Sequence, residues 1–131
     1  TKLEKVVIAF TILKGFSQRY GQKIIKKIPE GDNRQRFVCE ACGQIYYQNP
    51  KIITGCLPLY SDRVLLCRRA IAPRVGYWTL PAGFLENGEA ASAGAIRETL
   101  EEANAQVKLS HLYTLFNLPH ISQIYMFYIG E

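Results

Sequence analysis

From residue 52 onward, short runs of aliphatic and β-branched residues alternate with polar turns, which is the pattern of β-strands. Strands are predicted at 52–60, 63–69, 77–80, 105–116 and 121–129. The first two runs are joined only by Ser61 and Asp62, so they predict a β-hairpin. The sequence Pro-Ala-Gly at 81–83 predicts a break after the third strand.

Between the third and fourth strands, residues 89–103 are dominated by Ala, Leu, Arg and Glu, which predicts a helix. At roughly 100° per residue, four apolar residues form a stripe that we expect to pack on the sheet. This stripe consists of Ala93, Ile96, Leu100 and Ala103. The resulting order of elements, β-β-β-loop-α-β-β, predicts a mixed α/β fold.

The same arithmetic groups Glu98, Glu101 and Glu102 on the opposite side of the helix. Acidic residues in the last turn face the negative end of the helix dipole, and Glu98 repels Glu102 at the i,i+4 spacing. Arg97 is the one cation near them in the sequence. A solvated acidic face is one interpretation. The other is a site for a hard divalent cation such as Mg²⁺, whose charge would offset the repulsion.

With 131 residues, 48% of them hydrophobic, the chain has the length of about one domain and the composition of a folded protein. This excludes a large multidomain machine and a disordered chain. The apolar stretch at 6–13 is far shorter than the roughly 20 residues of a membrane span, and no signal-peptide cleavage site follows it. Four cysteines are few for a disulfide scaffold, so we expect a protein of the reducing cytoplasm with no membrane partner.

The net charge of +5 is distributed unevenly along the chain. Residues 1–54 hold ten basic and four acidic side chains, whereas residues 55–131 hold six and seven. Asn49 and Pro50 lie between these parts, so a boundary near residue 50 is predicted. The basic first part raises the hypothesis of a nucleic-acid-binding module. Its lysines and arginines form no known binding signature, so a nucleic-acid partner is not expected.

A spaced acidic motif, G-x5-E-x7-R-E-x-x-E-E, is formed by Gly83, Glu89, Arg97, Glu98, Glu101 and Glu102. This motif resembles the Nudix box, and the preceding Trp-Thr-Leu-Pro-Ala-Gly resembles the usual approach to that box. Asn104 stands where the family pattern has Gly. Because Asn tolerates the left-handed conformation at a helix end, we expect this substitution to be harmless. The resemblance implies a Nudix α/β/α sandwich with a mixed sheet.

The resemblance also implies a role for each residue of the box. The implied ligands of Mg²⁺ or Mn²⁺ are the Gly83 carbonyl and the carboxylates of Glu98, Glu101 and Glu102. These three glutamates would be the catalytic residues, with Glu98 as the leading candidate for the base that deprotonates water. Glu89 and Arg97 would support the loop and the helix as an ion pair.

Residues near the box are candidates for substrate binding. Arg68, Arg69 and Arg74 suit phosphate oxygens because guanidinium groups form bidentate contacts, and solvated surface arginines are the equal alternative. Trp78 and Phe84 would stack on an adenine or flavin ring, and a place in the core is the alternative.

The first part of the chain contains one C-x-x-C turn, from Cys39 to Cys42, which is half of a zinc-ribbon signature. With the Tyr-Tyr-Gln-Asn-Pro that follows at 46–50, it resembles bacterial Nudix hydrolases that carry a small N-terminal ribbon. The earlier C-x-x-C of that group is missing, because 16–21 contains no cysteine. Structural zinc on Cys39 and Cys42 is therefore one alternative, and a metal-free remnant or a site completed by another chain is the other. The predicted divisions are a divergent segment at 1–20, a zinc-ribbon-like β segment at 21–50 and a Nudix domain at 51–131.

The resemblance implies an enzyme that uses a divalent metal to hydrolyse the pyrophosphate of a nucleoside diphosphate linked to another group. ADP-ribose, FAD and NADH are the candidate small-molecule substrates. The alternatives are a Nudix-like sensor that binds a nucleotide without cleaving it and the nucleic-acid-binding ribbon module. Because the family fold normally continues with a further strand and helix, the domain is interpreted as C-terminally incomplete, with a homodimer as one way to cover an exposed sheet face.

Overall fold

The computed structural model describes residues 23–131, so the predicted divergent segment 1–20 lies outside the described residues. The chain divides into two compact units, Thr1–Gln48 and Asn49–Glu131. Across the described range 23–131, every helix is too short or too polar to cross a membrane.

The described part of the first unit is a three-stranded antiparallel sheet. In spatial order its strands are β1 (Ile24–Lys27), β2 (Arg36–Cys39) and β3 (Ile45–Tyr46). Asp32 shapes the turn between β1 and β2. Its carboxylate accepts hydrogen bonds from the backbone N–H groups of Asn33 and Arg34, at 2.7 and 3.1 Å. The Arg36 guanidinium donates a third bond, at 2.8 Å, and lowers the pKa of Asp32.

The second unit is built on a mixed five-stranded sheet. Four of its strands lie in the spatial order β5 (Arg63–Val64), β4 (Lys51–Tyr60), β10 (Gln123–Gly130) and β9 (Leu109–Leu118). The fifth strand, β8 (Ala82–Phe84), also pairs with β4. Only β4 and β10 run parallel to each other. Residues 53–56 of β4 are all buried, as expected for a central strand covered on both faces.

Two further elements complete the second unit. The helix α1 (Ala91–Ala103) packs on β4, where the Thr54 hydroxyl donates a 2.7 Å hydrogen bond to the Ala91 carbonyl. A separate two-stranded ribbon pairs β6 (Cys67–Arg68) with β7 (Trp78–Thr79). A helix on a mixed sheet confirms the predicted α/β fold class.

Strand pairing explains where the predicted strands and the observed strands differ. The hairpin at Ser61 and Asp62 is confirmed, because Tyr60 pairs with Arg63. The second predicted strand, 63–69, is divided between β5 and β6, since β6 leaves the sheet to pair with β7. The predicted break after the third strand is present, because β7 ends at Thr79, but it does not extend to residue 83. Residues 82–84 form β8, which pairs with 53–55 despite the preceding proline.

The ends of α1 follow local chemistry. The helix begins at Ala91 rather than at the predicted Glu89, because Glu89 is part of the loop before it. In that loop the Glu89 carboxylate accepts a 3.1 Å hydrogen bond from the Glu86 backbone N–H. Asn104 ends the helix with φ 51° and ψ 32°, in the left-handed region, and its backbone N–H donates to the Leu100 carbonyl. The expectation that Asn replaces Gly there without harm is consistent with this geometry.

The face of α1 that packs on the sheet is not the predicted apolar stripe. Ile96 and Leu100 are 39% and 43% exposed. The buried helical residues are instead Gly94, Ala95, Glu98 and Thr99. The prediction was wrong because it selected large apolar residues, whereas the helix approaches the sheet through small ones. A Cβ atom at Gly94 would lie only 2.7 Å from the Thr54 Cγ2 atom.

Candidate active site

The acidic half of α1 lies against the end of β8, where one carboxylate is buried. Glu98 is 1% exposed, and its carboxylate occupies the space that a Cβ atom at position 83 would need. Glycine is therefore required at this position for a steric reason, because any side chain would collide with Glu98. The sequence placed Glu98 on the solvent side of the helix; the structure buries it beside Gly83.

Arg97 joins the carboxylates of this site through its guanidinium group. Its Nε and Nη2 atoms donate to the two carboxylate oxygens of Glu89, at 2.7 and 3.0 Å. Its Nη1 atom donates to Glu98 at 2.8 Å and to Glu101 at 3.3 Å. Nη2 also donates to the Phe84 carbonyl at 3.2 Å, which attaches the helix to the end of β8. The predicted pair of Glu89 with Arg97 is thus present, and the same guanidinium also neutralises two box carboxylates.

These contacts shift the pKa values of both partners. The hydrogen bonds from Arg97, followed by the backbone N–H of Glu86, lower the pKa of Glu89 from its ordinary 4.5 to about 2. The pKa of Arg97 is raised, mainly by Glu89 and next by Glu98. Both groups therefore stay charged over the whole range in which proteins are handled. A permanently charged guanidinium among carboxylates holds the loop and the helix together.

Glu102 is tied to β8 by a different contact. Its carboxylate accepts a 3.1 Å hydrogen bond from the Ala82 backbone N–H. The side chain of Glu101 is 50% exposed, in contrast to the buried Glu98. The structure thus places Glu98 and Glu102 at the junction between the end of β8 and the second half of α1, and Glu101 joins them through its contact with Arg97.

The donor atoms at this junction are three carboxylates and a backbone carbonyl, which are hard oxygen ligands of the kind that Mg²⁺ and Mn²⁺ prefer. Across residues 23–131, no group of three or more His, Cys, Asp or Glu side chains is arranged so that it could hold a metal ion. Here the counter-charge of Glu98 and Glu101 is Arg97. The chemistry of the donors fits a divalent cation.

The predicted phosphate-binding arginines lie on the ribbon of β6 and β7. The Nε atom of Arg68 donates to the Gly76 carbonyl at 3.2 Å, and that of Arg69 donates to the Pro73 carbonyl at 2.8 Å. Both side chains therefore shape the loop that connects the two strands. Arg74, at the tip of that loop, is exposed and has a positive φ of 62°.

The two predicted stacking residues have different surroundings. Trp78 is 65% exposed, so its ring is accessible to a ligand. Phe84 is half-buried at the end of β8, and the Lys51 ammonium lies 5.4 Å from the centre of its ring. The ribbon that carries Trp78 begins beside the site, since the Cys67 thiol donates a 3.9 Å contact to the Glu102 carbonyl. Burial, and then the charge of Glu102, raise the pKa of Cys67 and favour its protonated form.

Sequence reasoning missed Thr54, which lies completely buried under the first turn of α1. The signal was a single hydroxyl residue within an otherwise apolar run at 52–59. A buried polar side chain needs a hydrogen-bond partner, so such a residue points to a specific contact outside its own strand.

The cysteine pair of the first unit lies at the end of β2. Cys39 is buried and Cys42 is exposed. The backbone N–H groups of Cys42 and Ala41 donate to the Cys39 sulfur, and the first of these contributes most to lowering its pKa. Residues 1–48 contain no other cysteine and no histidine, so this unit offers two of the four ligands of a structural zinc ion. These residues alone do not fit a complete zinc site.

Two family models match this chain. The NUDIX domain model matches residues 50–129, and the Nudix N-terminal model, a zinc ribbon, matches residues 19–48. Both matches agree with the resemblance read from the acidic motif and the cysteine pair.

Curated relatives and solved structures give the same family. A Nudix hydrolase structure from Nitrosomonas europaea is 56% identical with a TM-score of 0.79, over 82% of this chain and 61% of that one. The ADP-ribose pyrophosphatase of Methanocaldococcus jannaschii is 29% identical over 104 residues, which is 79% of this chain and 55% of the relative. The NAD-capped RNA hydrolase NudC of Chromobacterium violaceum is 38% identical over 71 residues, 53% of this chain and 26% of the relative. This chain therefore spans about half, or less, of the curated relatives that it matches.

Proposed function

Because the chain belongs to the Nudix family, we propose that it hydrolyses the pyrophosphate bond of a nucleoside diphosphate linked to another group. The observation that carries this proposal is the junction of β8 and α1, where Glu98 lies against Gly83 and Glu102 accepts a hydrogen bond from the Ala82 backbone N–H. Burial of Glu98 against a residue without a side chain has no use in a merely solvated acidic face. Burial of Glu98 therefore argues against the solvated face, and the hard oxygen donors of the box, rather than their present arrangement, support the metal-site interpretation.

Glu98, Glu101, Glu102 and the Gly83 carbonyl would hold Mg²⁺ or Mn²⁺. When bound, such an ion neutralises pyrophosphate charge and lowers the pKa of an attacking water molecule. Glu98 is our candidate for the base that accepts the proton of that water, because its carboxylate is held in one place by Gly83 and by Arg97. Glu89 and Arg97 support this geometry through their paired charges.

Substrate binding is assigned to the ribbon and the end of β8. Arg68 and Arg69 use their Nε atoms to shape the ribbon loop, and their terminal guanidinium nitrogens would bind phosphate oxygens. Arg74 would supply a third positive charge. The exposed ring of Trp78 would stack on the base or on a second ring of the substrate, and Phe84 would border the same site.

ADP-ribose, FAD and NADH are the substrates that we propose. Two relatives are named for related chemistry, an ADP-ribose pyrophosphatase and an NAD-capped RNA hydrolase. Both names describe a pyrophosphate that links a nucleotide to a further group. The shared feature is a nucleotide joined to a further group through a pyrophosphate. A hydrolysis panel of such substrates tests which further group is accepted.

The test is a hydrolysis panel with ADP-ribose, FAD, NADH and dinucleotides under Mg²⁺, in which the nucleoside monophosphate products are separated by ion-exchange chromatography. We expect release of AMP from at least one substrate, and loss of that release when EDTA is added. Binding of a substrate without any cleavage would favour the nucleotide sensor and overturn the enzyme. Cleavage that is unchanged by EDTA would overturn the metal site.

For the first unit we propose a ribbon-like segment, within 21–50, that does not bind zinc as a single chain. We place the catalytic domain at 51–131.

A cytoplasmic location and a homodimer stay predictions. Sedimentation of the purified chain tests the homodimer. Oligonucleotide binding at low salt would overturn the expectation that nucleic acid is not a partner.

A further inference from the structure

Thr54 lies at the centre of the second unit, where three elements of the candidate site meet. It is completely buried in β4. Its hydroxyl donates a 2.7 Å hydrogen bond to the Ala91 carbonyl, which belongs to the first residue of α1. In the pairing of β4 with β8, its direct partner is Gly83.

The methyl group of Thr54 limits how closely α1 approaches the sheet. A Cβ atom at Gly94 would lie 2.7 Å from this methyl group, so glycine is what allows the helix to come so near. Thr54 thus has its hydroxyl on the first turn of α1 and its methyl group beneath the second. The two contacts together determine the height and the rotation of the helix on β4.

The first turn of α1 has little other support. Its N-cap residue, Ala90, makes no side-chain capping hydrogen bond, and the first turn contains no acidic residue. Such a helix start is weakly held by local interactions. The bond from Thr54 therefore attaches the start of the helix to the sheet, two turns before Glu98.

A helix moves largely as a rigid body, so a displacement of its first turn is carried to the residues further along it. The box carboxylates lie on α1, whereas the Gly83 carbonyl lies on β8. Thr54 donates a hydrogen bond to α1 and pairs with a residue of β8. Thr54 consequently contributes to the distance between the two halves of the proposed metal site, in addition to the contacts that Arg97 and Glu102 make with β8.

We propose that Thr54 is a positioning residue, whose hydroxyl sets the placement of the box carboxylates relative to the Gly83 carbonyl. The inference rests on the proposed function, since it concerns the geometry of that same site. Thr54 touches neither metal nor substrate, and it acts through Ala91 and the helix.

Thr99 provides a matched control for a purely structural role. It is also completely buried, and its hydroxyl also donates a 2.7 Å hydrogen bond to a carbonyl, that of Ala95. That bond stays within the helix at the i−4 spacing. The Thr99 side chain also forms a hydrogen bond with the Cys56 thiol of β4, in the second half of the helix rather than at its start. Thr54→Val and Thr99→Val remove the same group at the same burial, and only the first removes the hydrogen bond that joins the strand to the first turn of the helix.

The experiment compares the wild-type chain with Thr54→Val, Thr54→Ser and Thr99→Val. Mn²⁺ affinity is measured by electron paramagnetic resonance of the free ion, and kcat and KM are measured on the best substrate of the panel. For Thr54→Val we expect about a fivefold to tenfold loss of Mn²⁺ affinity and about a tenfold lower kcat with KM nearly unchanged, because a small displacement of catalytic groups is costly. Thr54→Ser, which keeps the hydroxyl, and Thr99→Val should each stay within about twofold of wild type.

Two results would overturn the proposal: equal Mn²⁺ affinity in Thr54→Val and Thr99→Val, or a Thr54→Ser variant as impaired as Thr54→Val. If Thr54→Val does not fold, Thr54→Ala is compared with Thr54→Ser, because these two variants both lack the γ-methyl group and differ only in the hydroxyl. Failure of the proposed function looks different, because the wild-type chain itself would then neither bind Mn²⁺ nor cleave any substrate of the panel.

Discussion

The two units differ in how completely each keeps a metal-binding motif. In the second unit every acidic position of the box is present, and all of them lie within 83–102 of the chain. In the first unit the ribbon motif draws on two separate turns, of which one keeps Cys39 and Cys42 and the other has no cysteine. The box occupies one continuous stretch of loop and helix, and all of its acidic positions are kept. The ribbon motif is divided between two turns, and it has lost one pair of cysteines although the Nudix N-terminal model still matches.

The two motifs also differ in what holds their side chains in place. The carboxylates of the box are oriented by a charged side chain, Arg97, and by contact with Gly83. The Cys39 sulfur is oriented by backbone N–H groups of its own turn. The first arrangement joins a strand end, a loop and a helix, whereas the second lies within one turn. Substitutions in the box should therefore have larger effects than substitutions at the cysteines.

The largest effect is expected from Glu101→Gln and Glu102→Gln, which keep the shape of the side chain and remove its charge. Mg²⁺-dependent turnover should fall by more than about 100-fold in each variant, because a lost ligand weakens both metal binding and charge neutralisation. The unfolding midpoint should change little, since both residues are exposed. Steady-state kinetics and thermal unfolding measure the two effects.

Glu86→Gln is the control for this pair. Glu86 is an exposed glutamate of the preceding loop, and its backbone rather than its side chain contacts Glu89. The Mg²⁺-dependent turnover of Glu86→Gln should equal that of the wild-type chain. Full Mg²⁺-dependent activity in Glu101→Gln or Glu102→Gln would show that the carboxylates have been assigned wrongly.

The next largest effect is on stability, and it comes from Arg97→Ala. This change leaves the buried Glu98 without a main counter-charge, which should lower the free energy of unfolding by about 3 kcal/mol. Chemical denaturation measures it. The control is Arg63→Ala, which removes an ion pair with Asp62 whose side chains are 87% and 92% exposed, and it should change the free energy by less than about 0.5 kcal/mol. Equal effects of the two substitutions would contradict the role given to Arg97.

A smaller effect is expected in the pH dependence of stability. Glu89 has its pKa lowered to about 2 in the folded chain, against an ordinary 4.5. The contribution of Glu89 to the free energy of unfolding is therefore fully present above about pH 4.5 and is lost as the pH falls toward 2. Glu89→Gln should make the free energy of unfolding less dependent on pH in this window. An unchanged slope between pH 4.5 and 2 would mean that the pair with Arg97 is not maintained in solution.

The smallest effect is expected at the cysteine pair. Protein purified without chelator should contain less than one zinc ion per chain, as measured by elemental analysis, because two thiolates rarely hold structural zinc unaided. The double variant Cys39→Ser, Cys42→Ser should keep Mg²⁺-dependent turnover within about twofold. If the wild-type chain contained one zinc ion and the double variant contained none, the first unit would hold a complete metal site, and the proposed difference between the two units would be wrong.

Several features were predictable from the sequence because they depend on near neighbours. Strand runs, the helix and its end at Asn104 follow from local pattern and capping chemistry. The hairpin at Ser61 and Asp62 follows from two adjacent strands and a short turn. The spacing of the acidic motif identified the family by itself, and the NUDIX domain model matches residues 50–129.

Other features were missed because they depend on which surfaces meet. The strand at 82–84 exists only because β4 offers it a partner, so Pro-Ala-Gly was taken for a break. Ile96 and Leu100 were assigned to the core by their size, although the sheet accepts the small face of the helix instead. Arg68 and Arg69 were interpreted as phosphate ligands or as solvated surface arginines, and the structure also uses them to hold loop carbonyls.

By itself the sequence determined the chemistry that this chain can offer: hard oxygen donors on a helix, two thiols in a turn, and arginines near a tryptophan. Only the tertiary structure decided that Glu98 is buried on Gly83, that Arg97 forms ion pairs with three carboxylates and that Thr54 ties α1 to the sheet. The physical reason is that residue types and spacing specify donors and local conformation, whereas burial and charge pairing depend on close packing between segments far apart in the chain.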